Sequence, residues 1–271
     1  GGTGAQDRTL TSKLQETVSV KDFGAVGNGT TDDTAAFEAA LSITGSVLVP
    51  KGTYRITAPL TVGTGQVMYG TGDLFAGGSS TILLDDSSAK LIIKGSIGGL
   101  QGLYIDGNNT AVRCVDFDAT TRNWKIEKCY ITGATNWGIH IGDGTNNNYS
   151  GEILNCIITG NSKNVYNSSQ AITFMGTDVT GSTGGVGINN VASGGFTFLG
   201  GSLQNPASGF GHLTNAGEAR IIGPYIEGAE GKMLTIPEFF GDNYAKNVEY
   251  LKNLSLAKVG PIPEGLKYRA F

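Results

Sequence analysis

A short segment that recurs along this 271-residue chain carries carboxyl and phenol side chains at fixed positions. Glu227 and Asp178 flank the apolar sixth position of their copies, and two carboxyl groups on one surface could serve as acid and base in glycosidic hydrolysis. Tyr104, Tyr130 and Tyr225 precede the same apolar position, where their rings could cover the C–H patches of a sugar. The side-chain types therefore indicate carbohydrate chemistry, provided that the fold brings the copies together.

The segments that carry these residues form a repeat of six copies that align without gaps. Each copy has apolar residues at its first and sixth positions, and five of the six copies end in glycine. The sixth positions are separated by 26, 27, 21, 24 and 23 residues, a period typical of one coil of a solenoid. We expect their side chains to form one buried row: Ile105, Ile131, Ile158, Val179, Leu203 and Ile226.

Two further strand-like elements accompany most copies of the repeat. One precedes the copy, as in Trp124 and Ile126, and the other follows it with alternating apolar residues, as in Val115 and Phe117. Three strands per coil, joined by turns rich in Gly and Asn, predict an all-β protein, a right-handed parallel β-helix over residues 46–237. A β-sandwich is the competing fold, but its strands would not keep one internal spacing over six copies.

A short amphipathic helix is predicted before the coils, within residues 18–45. Thr31 or Asp32 can cap the N-terminus of a helix over Asp33–Leu41, whose apolar residues fall on one face. The first coil of a solenoid exposes unpaired backbone and an open core, and a helix of this kind can cover both. We therefore interpret residues 18–45 as an N-terminal cap.

The two ends of the chain complete the predicted domain organisation. Residues 1–17 are interpreted as an N-terminal arm. Residues 238–271 carry more charge and less glycine than the coils, and they break the repeat. Because the last coil of a solenoid also needs covering, we expect this segment to act as a C-terminal cap or to hold three chains together.

The composition argues against several classes of function. With 19 Lys and Arg against 23 Asp and Glu, the net charge is -4, so no basic field is available for nucleic acid. The apolar runs are far shorter than the roughly 20 residues of a membrane-spanning helix, and no charged-then-apolar leader is found. Neither membrane insertion nor a signal peptide is expected. No nucleotide-binding motif is present, and no cofactor is expected.

The three cysteines are expected to be reduced thiols rather than a disulfide framework. Cys129 and Cys156 share the position two residues before the buried row, so both should point inward on adjacent coils about 4.8 Å apart. Cys114 is assigned the same reduced state. No other ligand type lies near them in the pattern, so no metal site is predicted.

Side chains one position before or after the buried row should point outward, because successive residues of a strand face opposite sides. This face collects tyrosines, hydroxyls, an amide and carboxylates, a mixture suited to sugar rings and their hydroxyl groups. A solvated polar face and a trimer interface are the alternatives, and Ile157 within the face favours partial burial. The predicted substrate-binding residues are Tyr104, Asp106, Tyr130, Gln204 and Tyr225.

Glu227 and Asp178 are the predicted catalytic pair, although one chain alone would hold them far apart. They lie two coils and two residues apart, which gives roughly 12 Å at about 4.8 Å per coil and about 3.3 Å per residue. Retaining hydrolysis requires about 5 to 5.5 Å between the carboxyl groups, and inverting hydrolysis roughly 6.5 to 9.5 Å. A site assembled between subunits would remove this difficulty.

Asp116 and His140 form an alternative acid/base couple. They occupy equivalent outward positions on successive coils, so we expect about 5 Å between them. The carboxylate could orient an imidazole that acts as the base in β-elimination from a uronic acid. A surface ion pair is the simpler interpretation. Lys125 and Glu152 are stacked in the same way, and a structural ladder explains them.

The N-terminal sequence resembles a known family. The stretches VSVKDFGAVGNGTTDDTAAFEAAL at residues 18–41 and GSVLVPKGTYRIT at residues 45–57 closely resemble the opening of the pectate-lyase-like superfamily of right-handed parallel β-helix proteins. The stretch RTLTSKLQETVSVKDFGAVG at residues 8–27 resembles the form found in bacteriophage tailspikes.

The resemblance implies a homotrimeric spike at the tip of a phage tail, in the virion and outside the host cell. Such a spike binds a bacterial surface polysaccharide, namely a capsule, an O-antigen or an exopolysaccharide, and often depolymerises it by hydrolysis or β-elimination. The implied further partners are other tail proteins, reached through the N-terminal arm. The family's pectate lyases bind calcium through clustered acidic residues, and no such cluster matches here. A non-catalytic receptor-binding or structural module of a phage tail is the alternative.

Overall fold

The computed structural model describes residues 18–43, 45–71, 79–118, 121–142, 149–191, 196–205, 213–215, 219–222 and 224–228. Within these residues the chain winds into a solenoid whose strands form three sheets, here called A, B and C. Neighbouring strands within each sheet pair in parallel. The predicted parallel β-helix with three strands per coil is therefore confirmed.

The three sheets run along the solenoid and take one strand each from successive coils. Sheet A contains β1 Val18–Ser19, β3 Val47–Val49, β6 Val67–Gly70, β9 Gly99–Gln101, β12 Trp124–Glu127, β15 Tyr149–Leu154, β18 Gln170–Met175, β21 Phe196–Leu199 and β24 Ala219–Ile222. Sheet B contains β2 Asn28–Asp32, β4 Gly52–Ile56, β7 Ser80–Leu84, β10 Leu103–Asp106, β13 Tyr130–Thr132, β16 Ile157–Ile158, β19 Asp178–Val179, β22 Ser202–Asn205 and β25 Tyr225–Gly228. Sheet C contains β5 Leu60–Val62, β8 Leu91–Ile93, β11 Arg113–Phe117, β14 Trp137–Ile141, β17 Lys163–Asn167, β20 Val186–Asn190 and β23 Leu213–Asn215.

The predicted buried row lies in sheet B and stacks in strict register. Ile105 pairs with Ile131, which pairs in turn with Ile158 on the next coil. The row continues through Val179 and Leu203, and each of these five side chains is at most 1% exposed. The backbone register extends it to Ile226, whose side chain lies outside the described residues. Alternation along the strands therefore places the flanking residues on the outer face.

The bend from sheet A to sheet B uses left-handed residues on five successive coils. Because only glycine adopts positive φ without steric cost, four of the six positions are glycine. The chain turns there within one or two residues. The six residues are Gly102 (φ 63°), Lys128 (φ 51°), Asn155 (φ 52°), Gly176 (φ 58°), Gly200 (φ 61°) and Gly201 (φ 69°).

The predicted capping helix is present as α1, Thr34–Leu41, one residue shorter than expected at its N-terminus. Asp33 holds the N-cap position, but its carboxylate accepts hydrogen bonds from the N–H groups of Val26 and Gly27, at 2.7 and 3.0 Å. The neighbouring Asp32 accepts from the N–H of Thr34 at 3.0 Å. The N-cap position is therefore held by Asp33 and not by Thr31 or Asp32, although Asp32 does supply an acceptor to the first N–H of the helix. The helix begins after Asp33, whose side chain fixes the preceding loop.

Helix α1 lies where sheet C has no strand yet, and it packs against the first strand of that sheet, β5. Its Phe37 is fully buried and meets the ring of Tyr54 edge-on, with 5.3 Å between the ring centroids. The side-chain amide of Gln66 donates to the carbonyl of Leu41 at the C-terminal end of the helix. The segment thus covers the core as predicted and also supplies the first strands of sheets A and B.

The three cysteines are free and buried, as predicted. Cys129 and Cys156 point inward on adjacent coils, and the N–H of Cys129 donates to the sulfur of Cys156 at 3.4 Å. Burial, reinforced by the neighbouring Cys156 thiol, raises the pKa of Cys129 well above its ordinary value. The small thiols therefore fill core volume in their neutral form.

Several predicted features lie outside the described residues. The N-terminal arm of residues 1–17 and the C-terminal segment of residues 238–271 belong to this group. Within the described ranges, no helix is both long enough and apolar enough to span a membrane.

Candidate functional site

The outer face of sheet B carries the predicted tyrosine pair. Tyr104 and Tyr130 face each other across β10 and β13, and their rings stack with 4.7 Å between centroids and 6° between planes. Partial burial raises the pKa of the Tyr104 phenol, and the phenol of Tyr130 and the carboxylate of Asp106 add to the effect. Each ring covers one face of the other, and the edges and outer faces of this uncharged stack are the aromatic surface that a sugar ring could contact.

The same outer column continues to the predicted catalytic residues. Asp178 lies opposite Ile157 on one side and Ser202 on the other. The hydroxyl of Ser202 donates to the Asp178 carboxylate at 2.7 Å. Glu227 pairs in register with Gln204, while its side chain lies outside the described residues, as does that of Tyr225. Strand β22 lies between the strands of Asp178 and Glu227, so the two residues are not direct neighbours in sheet B.

One carboxylate oxygen of Asp106 is already engaged in a hydrogen bond within its own turn. This oxygen accepts the N–H of Asn108 at 2.8 Å and thereby shapes the turn after β10. The side chain of Asn108 in turn donates to Asp85 at 2.6 Å, and Asp85 pairs with Arg55. A saccharide that contacts Asp106 would therefore meet a carboxylate already held in place.

The alternative couple on sheet C is in direct contact. Asp116 and His140 are opposite each other on β11 and β14, and Asp116 Oδ1 lies 3.1 Å from His140 Nδ1. Both residues are 9% exposed, so they lie at the outer surface but are largely shielded from water. The sequence predicted this adjacency, and the side chains come closer than their backbone spacing.

Two cations complete the surroundings of Asp116. Lys90 Nζ and an Arg113 guanidinium nitrogen each lie 2.9 Å from Asp116 Oδ2. Burial alone would raise the pKa of this carboxyl group, but hydrogen bonds from His140 and Lys90 and the charge of Arg113 hold it well below its usual range. Asp116 is therefore an anion, and it accepts a hydrogen bond from the Nδ1–H group of His140.

Aromatic rings extend this cluster along the solenoid. The His140 imidazole stacks on Tyr166 of the next coil, with 4.6 Å between centroids and 7° between planes. Trp137 lies 5.4 Å from Tyr166, and Lys163 Nζ lies 5.0 Å from the centroid of the Trp137 ring. Tyr166 was not predicted as a site residue, although it lies opposite His140 on the next coil. We call these residues and the group around Asp116 the sheet C cluster: Lys90, Arg113, Asp116, Trp137, His140, Lys163 and Tyr166.

A groove crosses the outer face of sheet A and was not predicted. It encloses about 610 Å³ and is lined by residues in or beside five successive strands of sheet A, among them Lys125 and Glu152. Lys125 and Glu152 are in register as expected, but the Lys125 ammonium pairs with Glu127 of its own strand at 2.8 Å. Among the described residues, no group of three or more His, Cys, Asp or Glu side chains could hold a metal ion.

Residues 17–211 match the sequence model of the family described as "Rhamnogalacturonase A/epimerase, pectate lyase-like". The chain belongs to this family. The match covers most of the chain, including the capping helix and the coils as far as β22, and it ends before Tyr225 and Glu227. The resemblance noted in the N-terminal residues therefore extends over the coils of this pectate lyase-like protein.

Individual relatives cover smaller parts of the chain. The mannuronan C5-epimerase AlgE4 of Azotobacter vinelandii is 36% identical over 107 residues, which are 33% of this chain and 19% of the epimerase. The pre-neck appendage protein of Bacillus phage B103 is 40% identical over 55 residues, 20% of this chain and 6% of the phage protein. This pectate lyase-like chain thus spans about a fifth or less of these two curated relatives.

A solved structure confirms the architecture. The N-terminal fragment of gene product 12 from bacteriophage phi29 superimposes with a TM-score of 0.61 at 22% identity, over 82% of this chain and 42% of the fragment. At this level of identity the similarity establishes the fold. Phage tail proteins and polysaccharide-acting enzymes both use the fold of this pectate lyase-like protein.

Proposed function

We propose that this pectate lyase-like chain belongs to a phage tail protein that binds a bacterial surface polysaccharide and depolymerises it. The polysaccharide is a capsule, an O-antigen or an exopolysaccharide, and the protein acts as a homotrimer on the outside of the virion. Cleavage proceeds by β-elimination at the sheet C cluster, on a polymer that contains uronic acid. The tyrosine face of sheet B supplies additional contacts to sugar rings.

Two kinds of relatives support this proposal. One is a pre-neck appendage protein of a phage, and another is named for epimerisation at C5 of mannuronan, a polymer of uronic acid. Inverting C5 of a uronate requires a base that removes the C5 proton, and β-elimination begins with the same step. A base on the outer surface of the β-helix is therefore the group to look for.

The observation that carries the proposal is the 3.1 Å contact between His140 Nδ1 and Asp116 Oδ1. Because Asp116 remains ionised, it favours the tautomer with the proton on Nδ1, which leaves the lone pair of Nε2 as the base. Among the described residues, no hydrogen bond occupies Nε2. The stacked Tyr166 ring fixes the plane of the imidazole.

The charges of the cluster suit an anionic polymer. Lys90, Arg113 and Lys163 outnumber the one carboxylate, Asp116, in a chain whose net charge is -4. A uronate would be drawn to this local excess of cations, which also stabilises the negative charge that develops as the C5 proton leaves. Proton transfer to His140 Nε2 is followed by cleavage of the C4–O bond, and water protonates the departing oxygen.

The test uses His140→Gln, which removes the base and keeps a polar side chain. Purified protein is incubated with polymannuronate and with capsular polysaccharides that contain uronic acid, and the ultraviolet absorbance of unsaturated uronides is followed. We expect the full protein to release such products and the variant to release at least about a hundredfold less, the contribution typical of a general base. Asn189→Ala, one coil beyond Tyr166 in the same column, is the matched control and should keep full activity.

Two results would overturn the elimination mechanism. One is unchanged product release by His140→Gln, and the other is release of saturated reducing ends without ultraviolet absorbance. The second result points to hydrolysis, for which Glu227 and Asp178 remain the proposed pair. In that case Glu227→Gln should abolish cleavage while leaving folding intact. A mass measurement in solution tests the trimer that would bring these two residues together across subunits.

Binding without catalysis is the second candidate function. It is favoured by the contacts of Asp116, since both of its oxygens are already engaged by His140, Lys90 and Arg113 as in a structural ion network. A non-catalytic receptor-binding module would retain a surface polysaccharide on an affinity column. It would release neither unsaturated nor reducing products over long incubation.

A further inference from the structure

The groove on sheet A lies on a different face from the sheet C cluster and the tyrosine pair. Its floor follows one outward column of the sheet, in which Val67, Gly99, Lys125, Glu152 and Thr173 lie opposite one another on successive strands. A Cβ at Gly99 would lie 2.0 Å from the carbonyl oxygen of Lys125, so this position can hold only backbone. At Gly99, therefore, no side chain can fill the groove.

One wall of the groove is built from left-handed residues that are not glycine. Ile97, Asn123, Ser150 and Ala171 all line the groove, and their φ angles are 60°, 51°, 41° and 55°. Each lies between a strand of sheet C and the following strand of sheet A, or at the start of the latter. The preceding coil has Gly65 in this connection, with φ of 71°, and Gly65 does not line the groove.

Positive φ is costly for these side chains, about 1–2 kcal/mol per residue, and glycine would avoid the cost. Ile97 is the extreme case, because it is β-branched and 68% exposed, so no packing in the core explains it. In the bends from sheet A to sheet B, four of the six left-handed positions are glycine. These non-glycine residues therefore shape the wall of the groove, and their backbone conformation lowers the free energy of unfolding relative to glycine.

The polar groups that face the groove have unused hydrogen-bonding capacity. Among the described residues, no hydrogen bond or ion pair engages the side chains of Gln101, Glu152 or Thr173. Lys125 is different, because its ammonium is held by Glu127 at 2.8 Å. Within the part of the chain that the structure describes, an amide, a carboxylate and a hydroxyl are thus available to bind the hydroxyl groups of a ligand that lies along the sheet.

We propose that the sheet A groove is a second saccharide-binding site, and that it takes an uncharged saccharide rather than a polyuronate. Glu152 is the charged group that faces the groove without an ion pair, and a carboxylate attracts sugar hydroxyls but repels the carboxylates of a uronate. The open groove and the apolar rim of Ile97 suit sugar rings that alternate polar and C–H surfaces. This inference rests on the proposed function in one respect, namely that the chain binds a saccharide.

The test measures binding to an array of neutral and uronate-containing oligosaccharides from bacterial surface polysaccharides. We expect at least one neutral oligosaccharide to bind the full protein, and Glu152→Ala to weaken it about tenfold, as expected for losing a hydrogen bond to a charged group. Glu152→Gln keeps the hydrogen bond and removes the charge. It should therefore retain the neutral ligand and bind uronate oligosaccharides more tightly than the full protein does.

Thr173→Ala and Thr197→Ala provide a matched pair, since the two threonines are opposite each other on β18 and β21 and only Thr173 lines the groove. Only Thr173→Ala should weaken binding.

Equal binding by the full protein and Glu152→Ala would overturn the proposal that the groove binds a saccharide. An array on which only uronates bind would overturn it as well. Loss of binding in His140→Gln or Tyr104→Ala but not in the groove variants would leave the proposed function intact and remove this inference. An array with no bound saccharide would remove both.

Discussion

Lys90 and Asp116 form an ion pair between successive coils, with 2.9 Å between Nζ and Oδ2. Arg113 and His140 contact the same carboxylate, so one largely buried anion joins β11 to residues on both sides of it. Removing the anion would leave two cations close together without a partner. This relationship ties the stability of the solenoid to the same group that orients the proposed base.

We predict that Asp116→Asn lowers the free energy of unfolding by about 2 to 3 kcal/mol at pH 7, because breaking a largely buried ion pair leaves uncompensated charge. The pKa of Asp116 is depressed in the folded protein. Its contribution is therefore present above the unfolded value of about 3.9 and is lost as the pH falls through the folded value. Denaturant unfolding at pH 7 and at pH 2.5 measures the difference, which should shrink at the lower pH. A difference that stays constant would contradict this account.

The consecutive residues Ile157 and Ile158 have opposite surroundings. Ile158 belongs to the buried row and is fully buried, whereas Ile157 faces outward on sheet B. We predict that Ile158→Ala lowers the free energy of unfolding by about 3 kcal/mol and that Ile157→Ala costs less than about 1 kcal/mol. Equal losses in thermal or denaturant unfolding would show that the alternation is wrong at this coil, or that another subunit covers Ile157.

The Asp33 carboxylate holds the loop before the capping helix through the N–H groups of Val26 and Gly27. It is 2% exposed, so Asp33→Ala leaves two donors without an acceptor. We predict a loss of about 2 to 3 kcal/mol in the free energy of unfolding, together with faster amide exchange in helix α1. Glu38→Ala, on the exposed side of the same helix, should change the free energy by less than about 0.5 kcal/mol. Matching effects of the two variants would argue against this role for Asp33.

The thiols of Cys114, Cys129 and Cys156 should be inert in the folded protein. Burial raises the pKa of Cys114 and of Cys129 well above the ordinary range, and the thiolate is the reactive form. We predict that a thiol reagent at pH 8 labels none of the three cysteines within minutes and all of them after unfolding in denaturant. Rapid labelling of the folded protein would show that the coils around them open readily.

The stacked rings of Tyr104 and Tyr130 should contribute to saccharide binding through the ring surface that the stack leaves exposed. We predict that Tyr104→Ala weakens binding of the surface polysaccharide about fivefold to tenfold, since an aromatic contact of this kind contributes about 1 kcal/mol. Tyr104→Phe keeps the ring and should bind within about twofold of the full protein. Titration calorimetry with both variants makes the comparison, and a loss in Tyr104→Phe as large as in Tyr104→Ala would assign the effect to the hydroxyl instead.

The sequence determined the parts of this protein that follow from period and alternation. The spacing between Ile105 and Ile131 fixes one coil, and alternation fixes which neighbours face outward, so the contact of Asp116 with His140 could be predicted. Helix α1 followed from its apolar face, while its N-cap moved from Asp32 to Asp33 because the Asp33 carboxylate binds loop amides that no local pattern reveals.

The tertiary structure alone decided which charges meet and where a groove opens. Lys90 precedes its strand and reaches Asp116 across a coil boundary, and Lys125 pairs with Glu127 within its own strand instead of with the stacked Glu152. The groove depends on the left-handed residues from Ile97 to Ala171, whose backbone conformation has no signature in residue type. Period and alternation specify which residues share a column. Within a column, a long flexible side chain can reach several ion-pair partners, and a tight turn can adopt several backbone conformations. Only the packing of the coils determines which partner and which conformation occur.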